Sequence, residues 1–485
     1  MALRGRTIAL VLVVSGCSGG DSDDETGTVP LTTGMTPGTM TMTMTMPTTM
    51  VDPSTTTSGE TTEEPTTEPP PTTSECTDGT LNCPCLPLSS CLGELVCVAE
   101  LCVEAVDTTT TGSTTESDDT TTDDSTTGPP PVAMCADGMV APGELCFKVG
   151  TPLGMGSGPI AVLAVDLNND MHLDIVSANN GSNNLTLRKG KGDGGFESLS
   201  ALATGTGPYA LGAPDINNDT AADVVAVNNG TSDMTVYFNN GGGMLIGQPA
   251  VPVQANPRSV KKARLNGDEY DDLVIANFGA DTISVLIGDG QGYPGVSAIG
   301  TGDAPTWVAV ADVNSDGKLD LLSAASGAAS VVTSLGNGNG GFGPASGTST
   351  SDPPYALAVA EFDGKPGLDA VVTVPSKASL YFLHGKDDGS FSAPIPYPCG
   401  DDPLGIGVDD FNGDGDADVV VVNRTPGMIN IVTGDGTGGF SAPTPFMVGA
   451  TPFTLDLGDF NEDGVTDIVV ANNGDSTVSV VLSDP

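Results

Sequence analysis

Basic residues are scarce in this chain of 485 residues, where 15 Lys and Arg stand against 62 Asp and Glu and give a formal net charge of −47. Nucleic acid is bound by Lys and Arg meeting phosphates, so this balance argues against nucleic acid as a partner and also against an anionic membrane surface. The acidity suits divalent cations, but solvation alone is an equally simple reading of it.

Histidine is almost lacking, since the chain has only His172 and His384. No Ser/His/Asp or Cys/His arrangement can be assembled from them, and no phosphate-binding glycine motif follows a strand. We therefore expect a protein that is not an enzyme. An enzyme acting on polysaccharide or lipid, with the repeats described below as its scaffold, is the alternative.

Long apolar runs are lacking too. The run at residues 8–14, after Arg4 and Arg6, is too short to span a bilayer and predicts an export signal. Residues 14–17 (VSGC) resemble the lipobox of bacterial lipoproteins, which implies a signal peptide over 1–17 and lipidation of Cys17. Because Ser18 follows, the resemblance implies an outer-membrane, surface-exposed lipoprotein that touches the membrane only through its lipid. An ordinary signal peptide with a chance Cys is the alternative.

Two segments, residues 18–75 and 107–131, are rich in Thr, Pro, Ser and acidic residues and have no apolar periodicity. Such segments cannot bury enough apolar surface to offset the loss of chain entropy on folding. Both are predicted to be disordered, extended spacers.

A cysteine-rich segment, residues 76–106, lies between the spacers. Six cysteines in a short stretch of an exported chain predict a small disulfide-stapled module of unknown pairing. They are Cys76, Cys83, Cys85, Cys91, Cys97 and Cys102. A zinc site is the alternative, disfavoured because the segment has neither CxxC pairs nor His. Cys135 and Cys146 are predicted to form a further disulfide, which leaves Cys399 as a buried thiol.

The chain repeats over residues 132–485. Seven acidic nine-residue segments, here called loops one to seven, start at residues 166, 215, 264, 312, 361, 410 and 459, at spacings of 49, 49, 48, 49, 49 and 49. A fixed period of this length is typical of propellers and solenoids. A Pro stands seven residues before every loop, and apolar alternation around it predicts four short strands per repeat, with a Gly-rich turn before the fourth.

This plan predicts an all-β, seven-bladed propeller with four-stranded blades. Repeat seven stops after its third strand, and the residues before repeat one look like a fourth strand without a blade. Pairing the two closes the ring and leaves no free sheet edge. An open β-solenoid is the alternative.

The loops follow the plan D-x-[DN]-x-D-G-x-x-D, which resembles the calcium loops of FG-GAP and VCBS repeats, the family that contains the propeller of integrin α-chains. Calcium takes about six to eight oxygen ligands, and alternate positions of a tight loop supply them. The resemblance implies calcium ligands at positions one, three, five and nine of the loops that keep these oxygens. The residues are Asp166, Asn168, Asp170, Asp174, Asp215, Asn217, Asp219, Asp223, Asp312, Asn314, Asp316, Asp320, Asp410, Asn412, Asp414, Asp418, Asp459, Asn461, Asp463 and Asp467.

About five calcium sites are therefore expected. Loops four, six and seven keep Gly at position six, whereas loops one and two have Met171 and Thr220 there. If that position needs a positive φ, a side chain is unfavourable, so weaker calcium binding is expected in these two loops.

Loops three and five depart from the plan by placing a cation among carboxylates. Arg264 stands at position one of loop three and Lys365 at position five of loop five. Our hypothesis is that the side-chain charge replaces the ion, and simple decay of a repeat is the alternative. The neighbouring carboxylates are Asp268 and Asp272 in loop three and Glu361, Asp363 and Asp369 in loop five.

In the resembling family, ligands bind the face opposite the calcium loops, which here carries the residues after the seven prolines. Aromatic side chains often anchor protein and sugar interfaces, so Tyr209, Trp307, Tyr355 and Phe453 are candidate ligand contacts. The alternative is that they close the mouth of the ring. The expected function is binding or adhesion to an unidentified protein or glycan at the cell surface.

Overall fold

The structure is a computed structural model that describes residues 95–98, 101–104 and 143–483. The chain divides into two units, Met1–Thr121 and Thr122–Pro485. The predicted lipidation site, both spacers and the cysteines from Cys76 to Cys91 and at Cys135 lie outside the described residues.

In the first unit the described residues form an antiparallel pair of strands, β1 (Leu95–Val98) and β2 (Leu101–Glu104). Their register sets Cys97 opposite Cys102.

The second unit consists of antiparallel sheets in chain order, one for each repeat. It opens with β3 (Phe147–Val149) and β4 (Leu153–Gly154). Blade one has β5 (Pro159–Val165), β6 (Asp174–Asn179), β7 (Asn184–Gly190) and β8 (Phe196–Ala203); blade two has β9 (Pro208–Gly212), β10 (Val224–Asn228), β11 (Asp233–Asn239), β12 (Leu245–Gly247) and β13 (Val251–Pro252); blade three has β14 (Pro257–Ala263), β15 (Asp272–Asn277), β16 (Thr282–Leu286) and β17 (Val296–Gly300).

The remaining blades follow the same order. Blade four has β18 (Pro305–Ala311), β19 (Asp320–Ala325), β20 (Ser330–Ser334) and β21 (Ser346–Ser349); blade five has β22 (Leu357–Ala360), β23 (Asp369–Val374), β24 (Ser379–Leu383) and β25 (Ile395–Pro398); blade six has β26 (Pro403–Asp409), β27 (Asp418–Asn423), β28 (Met428–Val432) and β29 (Thr444–Met447); blade seven has β30 (Pro452–Gly458), β31 (Asp467–Asn472) and β32 (Thr477–Ser483). Among the described residues the only helix is a 3-10 turn at Pro375–Lys377, and none of these residues forms a helix long and apolar enough to cross a membrane.

The proline that recurs in every repeat marks where the first strand of each blade begins. A Pro is the first residue of the opening strand in every blade except the fifth, where Pro354 precedes β22. Proline has no N–H to give to a sheet ladder, so the first position of a strand suits it.

The core lies between blades. Second strands are buried along their whole length, as in β27 (DVVVVN) and β31 (DIVVAN). Each of seven apolar clusters joins the second strands of two neighbouring blades, and the last cluster joins blade seven to blade one. Apolar residues on both faces of a strand are what such double burial requires.

The ring closes as predicted. Strands β3 and β4 pair with β32 and supply the fourth strand of blade seven. The first strands contact one another around the channel, and β30 meets β5. An all-β seven-bladed propeller is therefore confirmed. Cys399 is a free, fully buried thiol, also as expected, and burial raises its pKa to about 12.

Candidate functional site: the seven acidic loops

All seven loops join the first and second strands of their blades. Because the strands are antiparallel, these loops and the Gly-rich turns between third and fourth strands lie on one face of the ring. The prolines and the connections between second and third strands lie on the opposite face.

The aspartate at position nine joins the ends of three strands in every blade. Its Oδ2 accepts the backbone N–H of position two of its own loop, and its Oδ1 accepts a backbone N–H sixteen residues further on, after the third strand, at distances between 2.6 and 3.2 Å. All seven side chains are at most 1% exposed. The aspartates are Asp174, Asp223, Asp272, Asp320, Asp369, Asp418 and Asp467.

Burial raises the pKa of these carboxyl groups. The pKa of Asp418 rises to about 7 and those of Asp223 and Asp467 to about 6, because desolvation outweighs the bonds from backbone N–H groups. Carboxylates at positions one and five add to the rise. A cation bound beside such a group favours its charged form.

Position one sets the conformation of position six. In loops one, two, four, six and seven the position-one carboxylate accepts the backbone N–H of position six at 2.8 to 2.9 Å. Position six then has a positive φ whatever its residue: 71° at Met171 and 72° at Thr220, against 81° to 90° at the glycines. The expected need for a positive φ is confirmed.

The residue types in these five loops suit calcium, and in the described residues the three carboxylates of each loop do not all come within 4.8 Å of one another. The position-five carboxylate accepts the backbone N–H of position seven in all five loops. Three Asp and one Asn at positions one, three, five and nine offer only oxygen donors, and calcium prefers such ligands. These are the residues that would hold the ion.

Two lysines missed by the sequence reasoning reach ligand positions. Lys189 Nζ lies 3.0 Å from Asp170 Oδ2 in loop one, and Lys318 Nζ lies 3.1 Å from Asp316 Oδ2 in loop four. These hydrogen bonds lower the pKa of both aspartates. His172 in loop one pairs with Glu462 of loop seven, which raises the pKa of the imidazole.

Loop three corrects part of the cation hypothesis. Arg264 Nε lies 3.4 Å from Asp271 Oδ1, so its partner is position eight and not Asp268 or Asp272. Asp272 is fully buried, whereas Asp271 lies nearer the surface, where the exposed guanidinium reaches it. Asp271 also accepts the backbone N–H of Asp215 in loop two at 3.0 Å.

In loop five the contact of the lysine agrees with the hypothesis that a side-chain charge replaces the ion. Lys365 Nζ lies 2.8 Å from Asp363 Oδ2, inside the loop. Burial opposes ionisation of Asp363, but hydrogen bonds from Lys365 and His384 leave its pKa below the ordinary value.

Position two ties each loop to the next blade. Its apolar side chain is at most 4% exposed in all seven loops. In six loops it shares a cluster with the residue that closes the Gly-rich turn of the next blade, as in the edge-to-face pairs Phe460–Phe196 and Phe362–Phe440, at centroid distances of 5.7 and 5.4 Å. In loop six the partner is Phe147 of β3. Five of the six Gly-rich turns close on an aromatic residue, and this recurrence is the signal in the sequence for the contact.

On the opposite face, three of the four candidate ligand contacts pack on one another. Tyr209 and Tyr355 lie edge-to-face against Phe453, and the two phenol oxygens are 3.0 Å apart. Trp307 lies partly buried with Lys261 Nζ 5.6 Å from its ring centroid. The three rings therefore contact one another, and whether they also contact a ligand stays a prediction.

A small cavity of about 90 Å³ lies in the channel, lined by the first strands. Its charged side chains are Arg258, Lys261 and Asp456. Asp456 Oδ2 accepts the backbone N–H of Ala164 at 2.8 Å, and burial raises the pKa of Asp456.

Comparisons with known proteins agree with this architecture. A family model described as an FG-GAP-like repeat matches residues 166–226, 264–323, 312–365, 367–421 and 410–470, together more than half of the chain. No curated protein sequence matches significantly.

Solved structures share the fold at low identity. The structure of BBS1N in complex with ARL6DN, soaked with lead, is 14% identical, with a TM-score of 0.52 over 70% of this chain and 97% of that one. Hydrazine synthase of Kuenenia stuttgartiensis is 14% identical, with a TM-score of 0.50 over 68% of this chain and 96% of that one. These likenesses show the propeller fold alone.

Proposed function

Because this chain belongs to the FG-GAP-like repeat family, we propose that it is a binding module whose propeller is stabilised by calcium in five of its seven acidic loops. The observation that carries the proposal is the common backbone of these five loops. Position one holds position six at a positive φ even where the residue is Met171 or Thr220. Met and Thr disfavour a positive φ, yet both adopt it here, and a bound ion would select this backbone conformation.

We propose binding and not turnover, with an unidentified protein or glycan as the ligand. The channel cavity of about 90 Å³ is small beside ligand pockets, which are typically about 300–1,000 Å³. Tyr209, Tyr355 and Phe453 are engaged with one another, so a large ligand has the outer part of that face available to it. This geometry supports an open binding surface better than a catalytic pocket.

We propose that the module lies at the surface of a bacterial outer membrane. Lipid on Cys17 would anchor it, and the spacers at 18–75 and 107–131 would hold it away from the membrane, with the cysteine-rich module 76–106 between them. The lipobox-like residues 14–17 and the composition of the spacers support this arrangement. Labelling cells with a radioactive fatty acid tests it: label should enter the protein and be lost in Cys17→Ala, and label retained by that variant would contradict the anchor.

A protein and glycan array probed in calcium and in EDTA tests the binding function. We expect selective binding in calcium that weakens in EDTA together with the thermal stability of the ring. The same preparation should be incubated with polysaccharides. Release of reducing ends by the protein would overturn the proposal, and so would an array with no selective binder.

A further inference from the structure

His384 points into loop five, the loop that departs furthest from the calcium plan. Among residues 143–483, one group of three side chains brings metal-ligating His, Cys, Asp or Glu atoms within 4.8 Å of one another: Asp363, Asp369 and His384. Asp363 and Asp369 are 7% and 1% exposed, and the His384 side chain is 30% exposed. Two of the three candidate ligands are therefore shielded from water.

The fold explains why an imidazole at this place faces the loop. His384 follows β24, fifteen residues after the position-nine aspartate. Its counterpart in blade one is Lys189, whose Nζ reaches Asp170 of its own loop. The other counterparts are Phe238, Ile287, Leu335, Thr433 and Leu482. Among these seven positions only blade five has an imidazole.

The candidate ligand atoms of loop five differ from those of the calcium loops, because a nitrogen is among them. His384 Nδ1 lies 2.6 Å from Asp363 Oδ2, and both oxygens of Asp369 are held by backbone N–H groups of Phe362 and Gly385. The ring of Phe382 packs against the imidazole at a centroid distance of 4.6 Å and fixes its position. Calcium prefers oxygen alone, whereas one imidazole with two carboxylates suits zinc and similar divalent ions.

We propose that loop five is a binding site for a divalent transition metal of the zinc type, with His384, Asp363 and Asp369 as its ligands. This site is separate from the five calcium loops and does not rest on the proposed binding function. Three protein ligands leave a further coordination position open to water.

Lys365 tunes this site. Its ammonium lies 2.8 Å from Asp363 Oδ2, where it competes with a metal ion for the same oxygen. The Lys365 side chain is 64% exposed, so its ammonium can exchange this contact for water. Removing its charge should therefore strengthen metal binding, which is the opposite of the effect of removing a ligand.

Cobalt titration of the untagged full chain, in millimolar calcium, tests the proposal. Co²⁺ is a coloured substitute for zinc, and its absorption reports coordination directly. We expect one equivalent to bind and to be displaced by Zn²⁺. Affinity should fall about tenfold or more in His384→Ala and in Asp363→Asn, and rise severalfold in Lys365→Gln.

The chain offers a matched control, since its one other histidine is His172. His172→Ala should bind Co²⁺ as the unchanged protein does, and thermal unfolding of every variant checks that the ring is folded. Equal binding by a folded His384→Ala variant would overturn the site. Failure of Co²⁺ to bind stoichiometrically, or loss of binding in His172→Ala, would overturn it too. None of these outcomes bears on calcium in the other loops.

Discussion

Loop five (residues 361–369) and loop six (residues 410–418) occupy equivalent places in neighbouring blades and keep different parts of one plan. Both bury a Phe at position two and an Asp at position nine, and in both the Asp accepts two backbone N–H groups. At positions one, three, five and six, loop six has Asp, Asn, Asp and Gly, whereas loop five has Glu, Asp, Lys and Pro.

This comparison separates two roles of the nine-residue loop, which are joining strands and blades and binding a cation. Positions two and nine join strands and blades, and all seven loops keep them. Positions one, three and five offer oxygens to a cation, and only five loops keep all three. The joining task therefore does not need the ion, whereas stability above that basic level is expected to depend on it.

Removing the position-nine aspartate should have the largest effect, and equally in both loops. Asp369→Ala and Asp418→Ala each leave two buried N–H groups without an acceptor, which should lower the free energy of unfolding by about 2–5 kcal/mol. Urea unfolding in EDTA measures this without calcium. A normal stability of Asp369→Ala alongside a destabilised Asp418→Ala would break the proposed common role.

Replacing the acidic residue at position one should affect the calcium-dependent stability of loop six and not that of loop five. Asp410→Ala is expected to lower stability in calcium by about 2–3 kcal/mol more than in EDTA, which is the stabilisation that an ion at about a hundred times its Kd supplies. In EDTA only the exposed hydrogen bonds from Asp414 and Gly415 N–H to Asp410 are lost. Ligand binding should weaken only as a consequence. Glu361→Ala in loop five is the matched control and should show no calcium-dependent loss. Loss of ligand binding by Asp410→Ala at an unchanged melting temperature would show that the loop touches the ligand.

The raised pKa of Asp418, about 7, predicts a pH dependence of the calcium-free protein. The unfolded carboxyl group has a pKa near 3.9, so the folded state binds more protons between about pH 4 and pH 7. Stability in EDTA should therefore fall as the pH rises through this window. Urea unfolding at several pH values measures the slope, which should be shallower in Asp418→Asn. An unchanged slope in that variant would contradict a buried, ionising Asp418.

Position six should give the smallest effect. Met171 is 86% exposed and has a φ of 71°, so Met171→Gly removes backbone strain without removing a packed side chain. We expect a gain of about 0.5–1 kcal/mol and tighter calcium binding in loop one. Gly317→Ala in loop four should do the reverse. Calorimetric titration checks both, and weaker calcium binding by Met171→Gly would contradict the role given to the positive φ.

Much of this architecture was predictable because the constant period aligns the seven repeats with one another. Seven prolines, seven loops and six Gly-rich turns at constant spacing predict the blades, and the unpaired segment before blade one predicts the closure that β3 and β4 provide. The positive φ at position six also followed from the pattern, since Gly recurs there.

Contacts between repeats were not predictable in the same way. Spacing does not say which carboxylate Arg264 meets, and the answer depended on the fold, which buries Asp272 fully and leaves Asp271 nearer the surface. The packing of Tyr209, Tyr355 and Phe453 joins blades two, five and seven across the channel, which no single repeat encodes. His384 also needed the fold, because it lies after the third strand and meets a loop two strands earlier.

Native mass spectrometry of the ring, stripped of metals and returned to calcium alone, tests the central claim most directly. The loops divide into five that keep every oxygen ligand and two that carry Arg264 or Lys365 instead. We predict five bound calcium ions. Seven ions would contradict the replacement of the ion by a side-chain charge, and a ring that binds none would contradict the calcium account itself.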